Sequence, residues 1–257
     1  MRKLMLVAVL VSAVAGTARA DWDLGDPCKM HYPQLPNIYE PYPLGGIDVL
    51  CMQPKMLADD FLCTASGAIT DVHIWGSWLY DEVGQPTFTL QIYNDIPAAD
   101  NPMGYSMPNV YEGPVWSRDF TPEEYRLRPW GEPMEEMFWD PNTGEQLGMD
   151  TICWQYNFDI KPDEAFWQEE GTIYWLAVTT LPTGTDTTFG WKTSMDHWND
   201  DAVYWDPFGG PVLEPQELRH PLLGESLDLS FVITPEPATL ALLGLGAVGL
   251  VMRRRRR

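Results

Sequence analysis

Ile152-Cys153-Trp154-Gln155-Tyr156-Asn157-Phe158-Asp159-Ile160 decides the fold. Large apolar side chains at 152, 154, 156, 158 and 160 alternate with Cys153, Gln155, Asn157 and Asp159. A period of two puts each set on one face of a pleated strand, and no helix reproduces it. Residues 87–94 repeat the pattern, with Phe88, Leu90 and Ile92 inward and Thr89, Gln91 and Tyr93 outward. Working outward, strand patterns recur at 57–64, 69–80 (Val72, Ile74 and Trp78 on one side, a bulge expected at Gly76), 115–120, 125–129, 134–139, 171–180, 187–193, 202–205 and 226–233. Asp140-Pro141-Asn142-Thr143-Gly144 carries the residue types of a turn. Only 122–125 and 162–169, each opening with proline, suit short helical turns. These signals predict an all-β fold: an antiparallel β-sandwich, jelly-roll-like, at 56–234, behind an irregular Pro-rich lead-in at 21–55. The loop at 95–113 is long enough to be functional or mobile.

The two ends read as processing signals. Arg2 and Lys3, the apolar stretch 4–14 and Ala18-Arg19-Ala20 form a signal peptide at 1–20, with signal peptidase the expected partner. At 235–257, Pro235-Glu236-Pro237 precedes an apolar run at 238–252 and a basic cluster, Arg253, Arg254, Arg255, Arg256 and Arg257. Fifteen apolar residues make a helix of about 22 Å, against ~30 Å of hydrocarbon, a gap that snorkelling arginines can close. The literal G-x-G-x-x-G at 244–249 lacks the strand–turn–helix setting of a dinucleotide site. This tail resembles the PEP-CTERM sorting signal of biofilm-forming bacteria. The resemblance implies recognition by an exosortase, a membrane-embedded processing enzyme, and delivery to the cell surface or to exopolysaccharide. Retention as an uncut transmembrane anchor remains the alternative.

The charge is lopsided. Of 16 basic residues three lie at 1–20 and five at 253–257, leaving 8 against 36 acidic ones (all but Glu236), a net −28. Such a body repels nucleic acid and anionic lipid and leaves affinity for divalent cations open. Twelve Trp, 11 Tyr and 9 Phe supply the surface a folded core needs. Four cysteines in an exported chain favour disulfides, with Cys28–Cys51 and Cys63–Cys153 the expected pairs.

Catalytic signatures are absent: no G-x-S-x-G, H-E-x-x-H or P-loop occurs, and only four histidines. The expected catalytic set is therefore none, and the expected cofactor is none, with Ca2+ as an alternative. Asp196, Asp200 and Asp201, within Asp196-His197-Trp198-Asn199-Asp200-Asp201, are the candidate calcium ligands, competing with a solvated turn. Trp75, Trp78, Trp191, Trp198 and Tyr204 are the candidate sugar-stacking residues, competing with a role in the core. A glycan-acting hydrolase using an unrecognised carboxylate pair remains a third alternative.

The blocks Leu57-Ala58-Asp59-Asp60-Phe61, Ile69-Thr70-Asp71-Val72, Trp75-Gly76-Ser77-Trp78, Cys153 to Phe158, Phe189 to Ser194 and Asp196 to Ala202 resemble a domain of unknown function in secreted PEP-CTERM proteins. The resemblance implies architecture and location and brings no mechanism. A non-enzymatic surface or matrix protein is the expectation, with a carbohydrate-binding module as its rival.

Overall fold

A computed structural model describes residues 21–39, 45–132, 135–181 and 187–234. The expected signal peptide with Ala18 and Ala20, and the sorting tail from Pro235 to Arg257, lie outside the described residues. Among the described residues no helix is long and apolar enough to cross a membrane.

Among the described residues eighteen strands follow one another. They are β1 (Ile47–Leu50), β2 (Met56–Leu62), β3 (Gly67–Ile69), β4 (Asp71–Trp78), β5 (Thr87–Ile96) and β6 (Met107–Pro108). Next come β7 (Trp116–Phe120), β8 (Tyr125–Gly131), β9 (Glu136–Asp140), β10 (Glu145–Asp150), β11 (Cys153–Asp159) and β12 (Phe166–Gln168). The last are β13 (Ile173–Leu181), β14 (Phe189–Ser194), β15 (Val203–Trp205), β16 (Gln216–Glu217), β17 (Asp228–Leu229) and β18 (Phe231–Ile233). The larger sheet runs β10-β9-β1-β14-β4-β11-β8, with β17 on β14 and β18 on β4. The smaller runs β16-β15-β2-β13-β5-β6, with β7 on β5. A ribbon of β12 and β3 stands apart, and among the named strands only β1 and β9 pair in parallel.

The sheets meet on aromatic rings. Phe88 of β5 meets Tyr125 (5.1 Å between centroids, 85°), Phe158 (5.2 Å, 70°) and Phe189 (5.0 Å, 82°) edge-on. Each such contact adds ~0.5–1.5 kcal/mol beyond the area it buries. Trp78 Nε1 donates to Tyr156 Oη at 2.7 Å, so these polar atoms are satisfied inside the core. Gly76 is no bulge: β4 keeps unbroken register with β11 and β14 there. A Cβ at Gly76 would fall 2.4 Å from the Phe189 ring, so the position demands close approach.

Both outer faces are covered. Gln155 and Asn157 point away from the core, as their alternation requires, yet both are fully buried. The lead-in lies over them as a third layer. Gln155 Nε2 donates to Trp22 O (2.8 Å), and Arg128 Nε donates to Gln155 Oε1 (2.8 Å). Trp22 packs edge-on against Trp75 (5.8 Å) and stacks with Trp130 (6.2 Å). Backbone bonds from Lys29 to Ile233 (2.7 Å), Gln34 to Phe231 (3.1 Å) and Asn37 to Thr193 (3.0 Å) hold it down. Far from staying irregular, this segment ends in β1, at the middle of the larger sheet. On the opposite side the loop at 95–113 is a packed cover. Tyr105 and Met107 bury against Trp175, Trp205 and Tyr93, and Tyr105 Oη donates to Pro215 O (2.9 Å).

Three other expectations are corrected. Residues 145–150 form β10, hidden from pattern reading by a register shift between Gln146 and Gly148. After a turn closed by Glu164 N to Lys161 O (2.9 Å), Phe166–Gln168 is a strand on β3 where a helical turn was expected. The disulfides are not formed: Cys28, Cys51, Cys63 and Cys153 are all free thiols. Three of them turn toward nearby carbonyls instead: Cys28 to Met30 O (3.4 Å), Cys51 to Val178 O (3.3 Å) and Cys63 to Ala65 O (3.3 Å). No two of the four stand within disulfide distance, so the strands hold apart the pairs that the sequence suggested. Main-chain bonds do the stapling.

Candidate functional site

Two of the quoted blocks converge on an acidic seam. Asp59 and Asp60 are neighbours on β2, so their side chains leave on opposite faces. Asp59 Oδ2 accepts from Gln34 Nε2 (2.8 Å) and Leu229 N (2.6 Å), and its Oδ1 from Asp60 N (2.8 Å). Asp60 Oδ2 accepts from Asn199 Nδ2 at 2.5 Å. Asn199 holds φ +60°, a left-handed conformation its short polar side chain tolerates. Beside it, Asp228 accepts from Trp198 N (2.7 Å) and meets His197 Nδ1 at 3.3 Å. Tyr32 Oη donates to His197 O.

Burial dominates the electrostatics here. It raises the Asp59 and Asp60 carboxyls well above the usual range, and repulsion from Asp228 adds to both. Asp228 is raised by its own burial, against the pull of His197 and Trp198 N. His197 is raised by its hydrogen bond to Asp228, whereas burial lowers His31 to about 4. His31 is thus neutral at pH 7, stacked 4.3 Å from Trp198. With Asp59 and Asp60 both 0% exposed, no substrate reaches them, and the seam ties loop 195–201 to the sheets.

The candidate calcium ligands do not gather. Asp196 Oδ2 accepts from Leu35 N (3.2 Å), Asp200 Oδ2 from Ser106 N (2.8 Å), and Asp201 pairs with Arg219 (2.9 Å) and Ser226. Each carboxylate pins a different segment, which is what Asp does in loops. The candidate stacking residues also divide. Trp75, Trp78 and Trp191 are fully buried, Trp75 under the lead-in and the other two between the sheets, so they are unavailable to a ligand. Trp198 is half-buried against His31.

Tyr204 alone lines an open hollow. A groove of about 350 Å3 runs past Met103, Tyr105, Trp139, Tyr204, Glu217 and Arg219. A second hollow of about 350 Å3 lies across the Asp140–Asn142 turn, lined by Met52, Pro54, Lys55, Asn142 and Asp206. Lys55 joins the two: its Nζ stands 5.7 Å over the Tyr204 ring and 3.1 Å from Asp140 Oδ1. Asn142 Nδ2 donates to Asp206 Oδ2 (2.9 Å). Tyr105, Trp139, Glu217 and Arg219 were not singled out in the sequence. Their signal is spatial: the loop cover, the 139–142 turn and β15–β16 meet only in the fold.

Residues 30–234 match a family described as Domain of unknown function (DUF7901). Residues 234–257 match the PEP-CTERM protein-sorting motif. No curated protein and no solved structure matches the chain. The family match reaches back to Met30, into the lead-in, as expected of a segment that buries one face of the larger sheet. The sorting motif marks export, recognition by an exosortase and membrane-associated processing to the cell surface. The chain belongs to the DUF7901 family and is an exported, exosortase-sorted member of it.

Proposed function

We propose that the body is a non-enzymatic glycan-holding module which its sorting signal delivers to the cell surface, in association with exopolysaccharide. The groove carries this reading. Half-buried Tyr204 lines it, with the edges of the buried Tyr105 and Trp139, beside Gln216, Glu217 and Arg219. Aromatic rings suit the apolar face of a pyranose, and flanking amide, carboxylate and guanidinium groups suit its hydroxyls. A body charge of −28 repels acidic chains, which favours a neutral polysaccharide. The acidic groups here are already engaged: Glu217 of the groove with Arg219 (3.0 Å), and Asp140 and Asp206 of the adjoining hollow with Lys55. A hydrolase would need a carboxyl pair free to act as acid and base.

Affinity electrophoresis of the exported protein through gels cast with neutral or acidic polysaccharide tests the proposal. Retardation is expected in a neutral gel, weakened up to about tenfold by Tyr204→Ala, the scale of one stacked ring. Unretarded migration in every gel would remove it, and release of reducing ends from the polysaccharide would replace it with hydrolysis.

A further inference from the structure

On the outer face of the larger sheet, four strands bring charged side chains to one spot beneath the lead-in. Asp48 of β1 faces Lys192 of β14 directly across the ladder, and Glu136 of β9 faces Asp150 of β10. All four residues are at least 98% buried. Lys192 Nζ donates to Asp48 Oδ2 and, at 2.5 Å, to Glu136 Oε2. That leaves Asp48 Oδ1, Glu136 Oε1 and both oxygens of Asp150 buried with no donor group on them, the Asp150 and Asp48 carboxyls turned to each other. Buried carboxylate oxygens left this way are costly, and their clustering calls for an occupant.

We propose that Asp48, Glu136 and Asp150 bind one hard divalent cation, Ca2+ by preference, with Lys192 as a fixed counter-charge on the outer oxygens of Asp48 and Glu136. Each of the three residues offers an oxygen within 4.8 Å of the others. A buried set of protein oxygens suits Ca2+, whereas Mg2+ gives up its waters reluctantly and usually keeps several of them. Charge agrees: three carboxylates and one ammonium leave −2, which a divalent ion cancels. The donors are hard oxygens, suited to Ca2+ or Mn2+ over zinc. Cys153, the nearby thiol, is buried and held protonated, so it adds no soft ligand. None of these three residues belongs to the loop at 196–201, and the site is independent of the groove.

The test uses the full chain purified from an exporting host in calcium-containing medium. Elemental analysis is expected to find about one calcium per chain. Chelation should lower the melting temperature, and re-addition of Ca2+ to 100 times its dissociation constant should restore about 5–10 °C. Mg2+ and Mn2+ form parallel arms, with Mg2+ weakest. Asp150→Asn, nearly isosteric, should abolish both the bound calcium and the shift. Asp60→Asn, in the other acidic cluster, should keep both. A chain that leaves purification metal-free and shows no shift on adding Ca2+ or Mn2+ would overturn the proposal. So would bound calcium that survives in Asp150→Asn or is lost in Asp60→Asn. Should Asp150→Asn fail to fold, Glu136→Gln takes its place with the same expected outcome.

Discussion

On the outer face of the larger sheet, Asp48, Glu136 and Asp150 gather around Lys192. Across the sandwich, Asp59, Asp60 and Asp228 gather with no lysine or arginine among their hydrogen-bond partners in the described residues, where half-exposed His197 is their one cationic partner. Both clusters lie beneath added layers, yet they place charge differently. The first fixes an ammonium in the ladder itself, where the β1–β14 register puts it opposite a carboxylate. The second spends its carboxylates on backbone and amide donors that tie loops to strands. A buried cation makes the first cluster intolerant of losing any one member. Its lack makes the second responsive to protons.

The contrast can be broken in three ways. The largest effect is expected from Lys192→Met, which strands three buried carboxylates. Denaturant unfolding of chelator-treated protein should show a loss of about 3–5 kcal/mol. Asp60→Asn, by comparison, should be near neutral or stabilising at pH 7, because it deletes a repelled charge and keeps the shape. Equal losses in the two variants would erase the distinction.

A pH series sharpens it. Asp59, Asp60, Asp95 and Asp228 all have folded pKa values above their unfolded ones. The folded state therefore binds more protons, so the stability these groups contribute is present at acid pH and lost as pH rises through the folded values. Melting temperature is expected to be higher at pH 5 than at pH 8, with a shallower slope in Asp60→Asn. A maximum near pH 8 would contradict this assignment.

The smallest effect concerns His197, also raised in the folded state. Its contribution should be present below about pH 6.5 and fade as pH climbs through the folded value. Half exposed, it is worth under about 1 kcal/mol, so His197→Ala should cost a few tenths at pH 6 and nothing at pH 8.

What was legible in the sequence follows from exposure of pattern. β5 and β11 announce themselves because polar and apolar residues alternate cleanly, even where the polar ones end up covered. β1 stayed hidden because Ile47, Asp48 and Val49 are buried on both faces and flanked by proline and glycine, so no alternation survives. Trp78 and Trp191 take the core role that competed with stacking, between the sheets, whereas Trp75 is hidden by the lead-in, a further layer that a strand pattern cannot announce. The calcium candidates were chosen by density along the chain, and Asp196, Asp200 and Asp201 turn to different segments. Asp48, Glu136, Asp150 and Lys192 are scattered over 145 positions, counting from 48 to 192, and only strand register unites them. Tyr204 was legible, while the rings that complete its groove were not.

The last strand carries a consequence for maturation. β18 pairs with β4, and Thr234 is still bonded to Asp71, through N to O (3.2 Å) and Oγ1 to Oδ2 (3.2 Å). Pro235 follows immediately in the chain, so no spacer separates globule from signal. Three extended residues reach about 10 Å. An enzyme recognising Pro235-Glu236-Pro237 would therefore work within that reach of the domain's Asp71 end.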